Sequence, residues 1–285
     1  MREIHSTAAT VPPILDVSAP GASTNPVSSD RHGVLLSGFR EVVRIGSATL
    51  IRADSLDVLA AVEPGSIGGV LADPPYSSGG LHAGDRARAP SLKYQGSEHR
   101  HLHADFAGDN RDQRSFLAWS GLWMDRARLA MRPGAILAAF TDWRQLPITT
   151  DAIQVAGFVW RGIVPWDKTE ATRPQLGRYR NQAEYLVWGT NGPRPMAGPI
   201  VPGAFRYSVP KVKRHMAAKP VELMRDLLRV MDGPILDPFM GSASIGEACA
   251  DLGLPYIGVE VSTHYFDVAC QRLEEHAARR AAEAA

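Results

Sequence analysis

The sequence predicts an α/β fold built on a doubly wound, mostly parallel sheet with one antiparallel strand. Short apolar runs bounded by Gly and Pro alternate with amphipathic stretches of helical length, which is the pattern of βαβ units. Two of the apolar runs follow each other with no helix between them, so they should pair antiparallel. The chain has 285 residues, of which 45% are hydrophobic and 21% charged, so it can build a large core.

In the N-terminal half, Ile67 to Ala72 is predicted to form a strand because this apolar run follows the Pro64-Gly65 turn. Phe116 to Met131 has helical periodicity, with Ser115 as the candidate N-cap. Strand Ala135 to Phe140 and helix Gln145 to Ala156 are predicted to follow. The helix stops at Gly157, a residue suited to a helix C-terminus.

In the C-terminal half, the strand-like runs Phe158 to Trp166 and Glu184 to Trp188 form the predicted antiparallel pair. Helices and strands then alternate, and Pro220 suits the first turn of the first helix. These elements are helix Lys219 to Met231, strand Pro234 to Asp237, helix Ser244 to Leu252, strand Tyr256 to Glu260 and helix His264 to Leu273. Ligands bind at the carboxyl ends of parallel strands, so the residues after each strand are the first candidates for a site.

The chain is predicted to have one domain with flexible additions. Residues 1–33, rich in Ser, Thr, Ala and Pro, are predicted to be a flexible N-terminal arm. The domain covers 34–273 and includes loops at about 77–115 and 168–214. Residues 274–285 form a predicted helical tail that extends into solvent because it lacks a broad apolar face.

The composition excludes several classes of protein. No apolar run reaches the roughly 18 residues of a membrane span, and the N-terminus lacks the apolar block of a secretory signal. Cys249 and Cys270 lie in helix-like stretches and are predicted to be reduced core thiols. We therefore expect a cytoplasmic protein with no membrane partner.

The net charge of +1 conceals an uneven distribution. From Arg161 to Lys219 the chain has eleven Lys or Arg residues and three acidic residues, a local charge of +8. Trp and Tyr residues are interspersed with these cations, a combination typical of polyanion binding. A solvated basic surface would have the same composition, so charge alone leaves both interpretations open.

The tetrapeptide Asp73-Pro74-Pro75-Tyr76 follows the first predicted strand. Proline fixes φ and lacks an N–H donor, so this segment is stiff and rich in acceptors. A carboxylate and a proline carbonyl can accept both hydrogens of an amino group, while Tyr76 stacks on a planar substrate. A purely structural turn is the alternative interpretation.

The second motif, Asp237-Pro238-Phe239-Met240-Gly241-Ser242, also follows a strand and leads into a helix. Its glycine and small residues let a ligand approach the backbone at a helix N-terminus. At the end of the next strand, Glu260 is placed to bind ribose hydroxyls. The motif and Glu260 together predict a cofactor that contains adenosine.

The two motifs, and their order along the chain, resemble those of the β-class S-adenosylmethionine-dependent methyltransferases, which modify exocyclic amines of DNA bases. The resemblance covers Val42 to Leu273 and implies the class I, Rossmann-like methyltransferase fold. It implies catalytic roles for Asp73, Pro74, Pro75 and Tyr76. It implies S-adenosylmethionine binding by Asp54, His215, Lys219, Pro220, Asp237, Phe239, Gly241, Ser242 and Glu260. The chain departs from the family's Gly-Thr-Thr at Ala243-Ser244-Ile245.

The resemblance also implies a substrate and partners. Asp as the first catalytic residue favours adenine N6 in double-stranded DNA, reached by base flipping. The resemblance separately implies a homodimer associated with the nucleoid. A separate restriction endonuclease is a further possible partner. The candidate DNA-binding residues, in the recognition loops at about 77–115 and 168–214, are Arg86, Arg88, Lys93, Lys168, Arg173, Arg178, Arg180, Lys211 and Lys213. No metal is expected, although His99, His101 and His103 alternate in the first loop.

Three alternative functions remain open. Related tetrapeptides serve cytosine N4 and the amides of RNA or protein. A catalytically inactive DNA-binding regulator would keep the same fold. The presence of Asp73, Tyr76 and Glu260 argues against the inactive regulator.

Overall fold

The computed structural model describes residue 39, residues 41–76, 111–172, 174, 176–210 and 219–284. The predicted N-terminal arm and most of the first recognition loop lie outside these ranges. Several predicted site residues also lie outside them: Arg86, Arg88, Lys93, Arg173, Lys211, Lys213 and His215.

One mixed sheet organises the described residues. Its strands, in chain order, are β1 Val42–Ile45, β2 Ala48–Arg52, β3 Ile67–Ala72, β4 Met131–Thr141, β5 Val159–Asp167, β6 Ala183–Thr190, β7 Phe205–Arg206, β8 Ile235–Asp237 and β9 Tyr256–Glu260. Their spatial order is β1-β2-β9-β8-β3-β4-β6-β5-β7. The described helices are α1 Ser55–Ala61, α2 Gln113–Ala130, α3 Leu146–Val155, α4 Val221–Leu228, α5 Ser244–Leu252 and α6 Thr263–Ala284.

The predicted mostly parallel α/β sheet is confirmed, with one difference. Strand β6 pairs antiparallel with both β4 and β5, as the missing crossover helix predicts. The edge strand β1 is also antiparallel to its neighbour β2, so two strands, β1 and β6, run against the others. The sequence analysis missed β1, β2, α1 and β7.

Two hydrophobic cores flank the sheet. Trp123, on α2, belongs to the core on one face, while Leu223, on α4, belongs to the core on the other. Strand β3 is buried along its whole length because it lies near the centre of the sheet with a core on each side. Cys249 is buried and Cys270 is half-buried, and both are free thiols, as predicted.

The start of one predicted helix and the predicted exposure of the helical tail differ from the structure. Helix α2 begins earlier than predicted because the carboxylate of Asp112, rather than Ser115, accepts the backbone N–H groups of the first turn. Helix α6 continues without a break through position 273. The expectation that the tail extends into solvent is wrong at His276, which is 7% exposed and faces Glu247 and Asp251 of α5.

The structure also bears on the expected absence of a membrane span and of a metal. Within the described part of the chain, no helix combines the length and hydropathy needed to cross a membrane. Among the same residues, no cluster of three or more His, Cys, Asp or Glu side chains could hold a metal ion. His99, His101 and His103 lie outside the described ranges.

Candidate active site and cofactor loop

Both sequence motifs lie at one edge of the sheet. Strand β8 is between β3 and β9, and the three strands are parallel. Asp73 follows β3, Asp237 ends β8 and Glu260 ends β9, so the three carboxylates share the carboxyl edge. This convergence places the two motifs in one site, as the positions after the strands predict.

Asp73 is held by two neighbours. The Tyr76 hydroxyl donates to Asp73 Oδ1 at 2.7 Å, and the Lys219 ammonium donates to Oδ2 at 2.6 Å. A carboxylate has about four lone-pair positions, so Asp73 can still accept hydrogen bonds from a substrate. Its orientation is therefore set by the protein.

Glu184 adds a second carboxylate that the sequence analysis missed. It accepts a hydrogen bond from Lys168 at 3.1 Å and lies 3.4 Å from the Lys219 ammonium. It also lies 3.3 Å from the Tyr76 hydroxyl, whose single hydrogen it shares with the closer Asp73. Glu184 is the second residue of β6, and the start of this antiparallel strand lies at the carboxyl edge of its neighbours. An acid at the start of an antiparallel strand is the signal that could have identified it.

The charges that the described residues bring to this cluster balance. These residues supply two carboxylates, Asp73 and Glu184, and two ammonium groups, Lys168 and Lys219. Such pairing is what a half-buried group of charges requires, because an unpaired buried charge would be strongly destabilising.

Burial and pairing oppose each other in setting the pKa values of the cluster. Burial raises the pKa of Asp73 and outweighs the lowering by Lys219. Burial also acts to raise the pKa of Glu184, but Lys219 and Lys168 together lower it. For Lys219, burial acts to lower the pKa, and the two carboxylates raise it above the ordinary value, so this group is a cation. Burial and the same carboxylates raise the pKa of Tyr76 well above its ordinary value, so its hydroxyl stays protonated.

Two predicted assignments change. Lys219 was expected at the cofactor, but its ammonium binds Asp73 and lies over the rings of Tyr76 and Phe140. Its neighbour Pro220 is the N-cap of α4, so Lys219 precedes the helix. Lys168 was expected to bind DNA, but its side chain is 13% exposed and paired with Glu184.

The cofactor loop, residues 237–242, is organised by two acids. The Glu260 carboxylate accepts the N–H of Gly241 at 3.0 Å and the N–H of Ser262 at 2.8 Å. Asp237 accepts the N–H of Phe239 and the hydroxyl of Tyr256 at 2.9 Å. Burial raises the pKa of Asp237 to about 8, and it raises the pKa of Glu260 despite the backbone hydrogen bonds.

The turn into α5 requires left-handed backbone conformations at Gly241, with φ of +52°, and at Ala243, with φ of +57°. For a residue with a side chain this conformation costs roughly 1–2 kcal/mol. Ala243 stands where the family has glycine, so the turn must be stabilised elsewhere.

Arg272 of α6 supplies such stabilisation and was missed by the sequence analysis. Its Nη1 donates to the Ser242 carbonyl at 3.1 Å and to the Ser244 hydroxyl at 3.0 Å. Its Nε is paired with Glu247 at 2.5 Å, and the side chain is 12% exposed. Arg272 thus connects the end of the cofactor loop to α5 and α6.

An aromatic cluster borders the same loop. Phe239 packs against Trp119 and Trp123, with ring centroids 5.3 and 5.2 Å away. The guanidinium of Arg111 lies 4.2 Å from the centre of the Trp119 ring. Asp54 is the N-cap of α1 and accepts the N–H of Leu56. The structure therefore gives Asp54 a structural bond, and its charge also acts on Arg111 beside the cluster.

The described candidate DNA contacts lie in the loop between β5 and β6. Arg178 is exposed. Arg180 is half-buried and donates to the carbonyl of Glu170. Arg178 is therefore the better placed of the two to contact a phosphate.

Comparison with known proteins gives consistent results. The model of the N6 and N4 DNA methylase family matches residues 201–271. The Type II methyltransferase M2.LlaDCHI of Lactococcus lactis subsp. cremoris is 24% identical over 260 residues, covering 81% of this chain and 91% of that protein.

Solved structures share the fold. The crystal structure of the M1.HpyAVI-SAM complex superposes with a TM-score of 0.54 at 20% identity, covering 79% of this chain and 99% of the other. The cytosine-N4-specific PvuII DNA methyltransferase superposes with a TM-score of 0.57 at 14% identity, covering 84% and 96%.

Proposed function

We propose that this chain, which resembles the N6 and N4 DNA methyltransferase family, methylates the N6 amino group of adenine in double-stranded DNA. The observation that carries this proposal is the cluster of Asp73, Tyr76, Glu184 and Lys219 beside the cofactor loop. It puts amine acceptors and a cofactor-binding edge in one site.

The cofactor is S-adenosylmethionine, and the residues present fit it. Each oxygen of Glu260 accepts one backbone N–H and keeps lone pairs for the hydroxyls of a ribose. The half-buried ring of Trp119 and the ring of Phe239 offer an apolar wall near Asp54. When bound, the cofactor supplies an electrophilic methyl group on a sulfonium.

Asp73 and Pro74 bind the target amine. An exocyclic amine is a poor nucleophile because its lone pair is delocalised into the ring. Hydrogen bonds from its two N–H groups to the Asp73 carboxylate and the Pro74 carbonyl favour tetrahedral nitrogen and localise that lone pair. Positioning and electrostatics of this kind supply most of the reduction in the barrier.

Lys219 and Tyr76 are positioning residues for Asp73. Both bind its carboxylate, which keeps the acceptor lone pairs directed at one point. The Lys219 ammonium covers one face of the Tyr76 ring, at 5.4 Å from its centre, so a flipped base would stack on the other face. Because the amine loses its proton only after it has become cationic, Asp73 does not need to be a strong base.

The substrate adenine must leave the duplex to reach Asp73, at a cost of a few kcal/mol. The basic region that includes Arg178 can offset part of that cost through phosphate contacts. We also infer from the family resemblance that the enzyme acts as a cytoplasmic homodimer, which light scattering at micromolar concentration would test.

One experiment tests the proposed reaction. The purified enzyme is incubated with genomic DNA and S-adenosylmethionine, and the DNA is digested to nucleosides for mass spectrometry. N6-methyladenine is the expected product. N4-methylcytosine alone would overturn the choice of base, and no methylated nucleoside would overturn the activity.

A further inference from the structure

The loop that connects β5 and β6, residues 168–182, begins and ends beside the active site. The backbone N–H of Lys168 donates to the Gln182 carbonyl at 2.7 Å and closes the base of the loop. At that base, the side chain of Lys168 binds Glu184, which lies 3.3 Å from the Tyr76 hydroxyl. The base of the loop is therefore connected to Asp73 through the side chains of Glu184 and Tyr76.

The tip of this loop presents two large apolar side chains to solvent. Arg180 binds the carbonyl of Glu170, which leaves residues 171–179 as the tip. Leu176 is 98% exposed and Tyr179 is 100% exposed. Gly177, between them, has a φ of +66°, and among the described residues no atom beyond its chain neighbours lies within 4 Å of the position of a Cβ.

The surroundings of these two residues favour a polyanion over an apolar protein surface. Arg178 lies between Leu176 and Tyr179, and Arg180 follows them. No acidic residue occurs between Glu170 and Glu184, so the tip itself carries positive charge only. Duplex DNA combines a phosphate backbone with stacked apolar bases and so matches both features.

We propose that Leu176 and Tyr179 form a wedge that enters the DNA beside the target base and fills the space that the flipped base leaves. This inference rests on the proposed function and adds the residues that hold the flipped state. Apolar side chains inserted between base steps offset the lost stacking of the bases. Arg178, between the two wedge residues, holds an adjacent phosphate.

The test compares paired and unpaired target bases. The double variant Leu176→Ala/Tyr179→Ala is assayed on a duplex whose target adenine faces thymine and on one whose target faces an abasic site. The recognition sequence in both is first mapped by single-molecule sequencing of DNA from cells that express the protein. Met196→Ala is the matched control: Met196 is 106% exposed, but nearby Arg194 binds the carbonyl of Gly134, toward the amino end of β4 and the opposite edge of the sheet.

We expect the double variant to lose about tenfold or more in kcat/KM on the paired duplex, because no apolar side chains then offset the free-energy cost of flipping the base. On the abasic duplex it should stay within about twofold of wild type, because no pairing or opposite-base stacking must be broken. 2-Aminopurine at the target position should fluoresce less with the variant than with wild type. Met196→Ala should match wild type in every assay.

Equal losses on both duplexes would overturn the wedge, because they indicate a general role in DNA binding. Wild-type rates on both duplexes would overturn it as well. In either case a wild-type enzyme that methylates DNA leaves the proposed function intact. A wild-type chain that methylates neither duplex overturns the proposed function, and the wedge with it.

Discussion

The ammonium of Lys219 lies 2.6 Å from Oδ2 of Asp73, although the two residues are 146 positions apart in the chain. The Lys219 side chain is 6% exposed, and its second carboxylate partner is Glu184. The first residue of the catalytic tetrapeptide is thus held by a buried cation from the segment before α4. This contact makes Lys219 a positioning residue for the amine acceptor.

Lys219→Met should reduce kcat by about 100-fold, the usual effect of removing a preorganised electrostatic group. The Lys219 charge opposes the effect of burial on Asp73, so its removal raises the pKa of Asp73 further. If activity requires ionised Asp73, the acidic limb of the pH–rate profile then moves to higher pH.

The conservative variant Lys219→Arg keeps the charge and should keep the acidic limb. Arg229→Met, at the exposed C-terminal end of α4, should behave as wild type. An acidic limb that does not move in Lys219→Met would contradict the role in positioning Asp73.

Asp73→Ala and Glu260→Ala form a matched pair that separates chemistry from cofactor binding. Asp73→Ala should abolish methyl transfer and leave the affinity for S-adenosylmethionine within a few-fold of wild type, since Asp73 faces the amine. Glu260→Ala should weaken cofactor binding by roughly 1–3 kcal/mol, the cost of a lost charge-assisted hydrogen bond. Titration calorimetry measures the affinity of both variants for S-adenosylmethionine. An unchanged dissociation constant in Glu260→Ala would disprove the ribose assignment.

Asp237 should make stability depend on pH. Burial raises its pKa from 3.8 to about 8. A group whose pKa is higher in the folded state binds a proton on folding between these two values. Its stabilising contribution is complete below pH 3.8 and is lost as the pH rises through about 8.

Asp237→Asn removes this titration. Urea unfolding from pH 5 to 7 should show wild type losing up to about 1.4 kcal/mol per pH unit relative to the variant. A difference in the free energy of unfolding that is constant with pH would show that the carboxyl group is not protonated on folding.

Arg272→Met should weaken cofactor binding although the side chain of Arg272 binds the cofactor loop and α5 rather than the cofactor. The substitution removes the hydrogen bonds to Ser242 and Ser244 that hold the left-handed turn at Ala243. We expect an increase of about tenfold in the dissociation constant, equivalent to about 1.4 kcal/mol. Arg279→Met removes an exposed partner of the same Glu247 and should change it little. Equal increases in the dissociation constant for the two variants would show that the ion pairs with Glu247, rather than the hydrogen bonds to the cofactor loop, support cofactor binding.

Arg178→Gln should change the salt dependence of DNA binding. A lost phosphate contact reduces the slope of log K against log salt by about one. Arg126→Gln, an exposed position on α2, serves as the control. Fluorescence anisotropy with labelled duplex at four salt concentrations measures the slope, and equal slopes for wild type and Arg178→Gln would make the tip a solvated surface.

Much of the fold and both motifs could be predicted from the sequence because their signals are local. The apolar run from Ile67 to Ala72 acts on its own backbone, and the strand that it predicts is confirmed. Helix α5 and strand β9 have the predicted bounds for the same reason. Features that depend on side-chain partners were less predictable: Asp112 replaced Ser115 as a cap, and His276 is buried facing Glu247 and Asp251.

The sequence by itself determined the fold class, the two motifs and the edge of the sheet at which they meet. Only the tertiary structure decided which side chains surround them. Glu184 reaches Asp73's partners because β6 runs antiparallel beside β4, and Lys219 reaches Asp73 because α4 begins near the end of β3. Arg272 reaches Ser242 because α6 packs along α5. Contacts of this kind depend on strand order and helix packing, which bring together residues that share no local pattern.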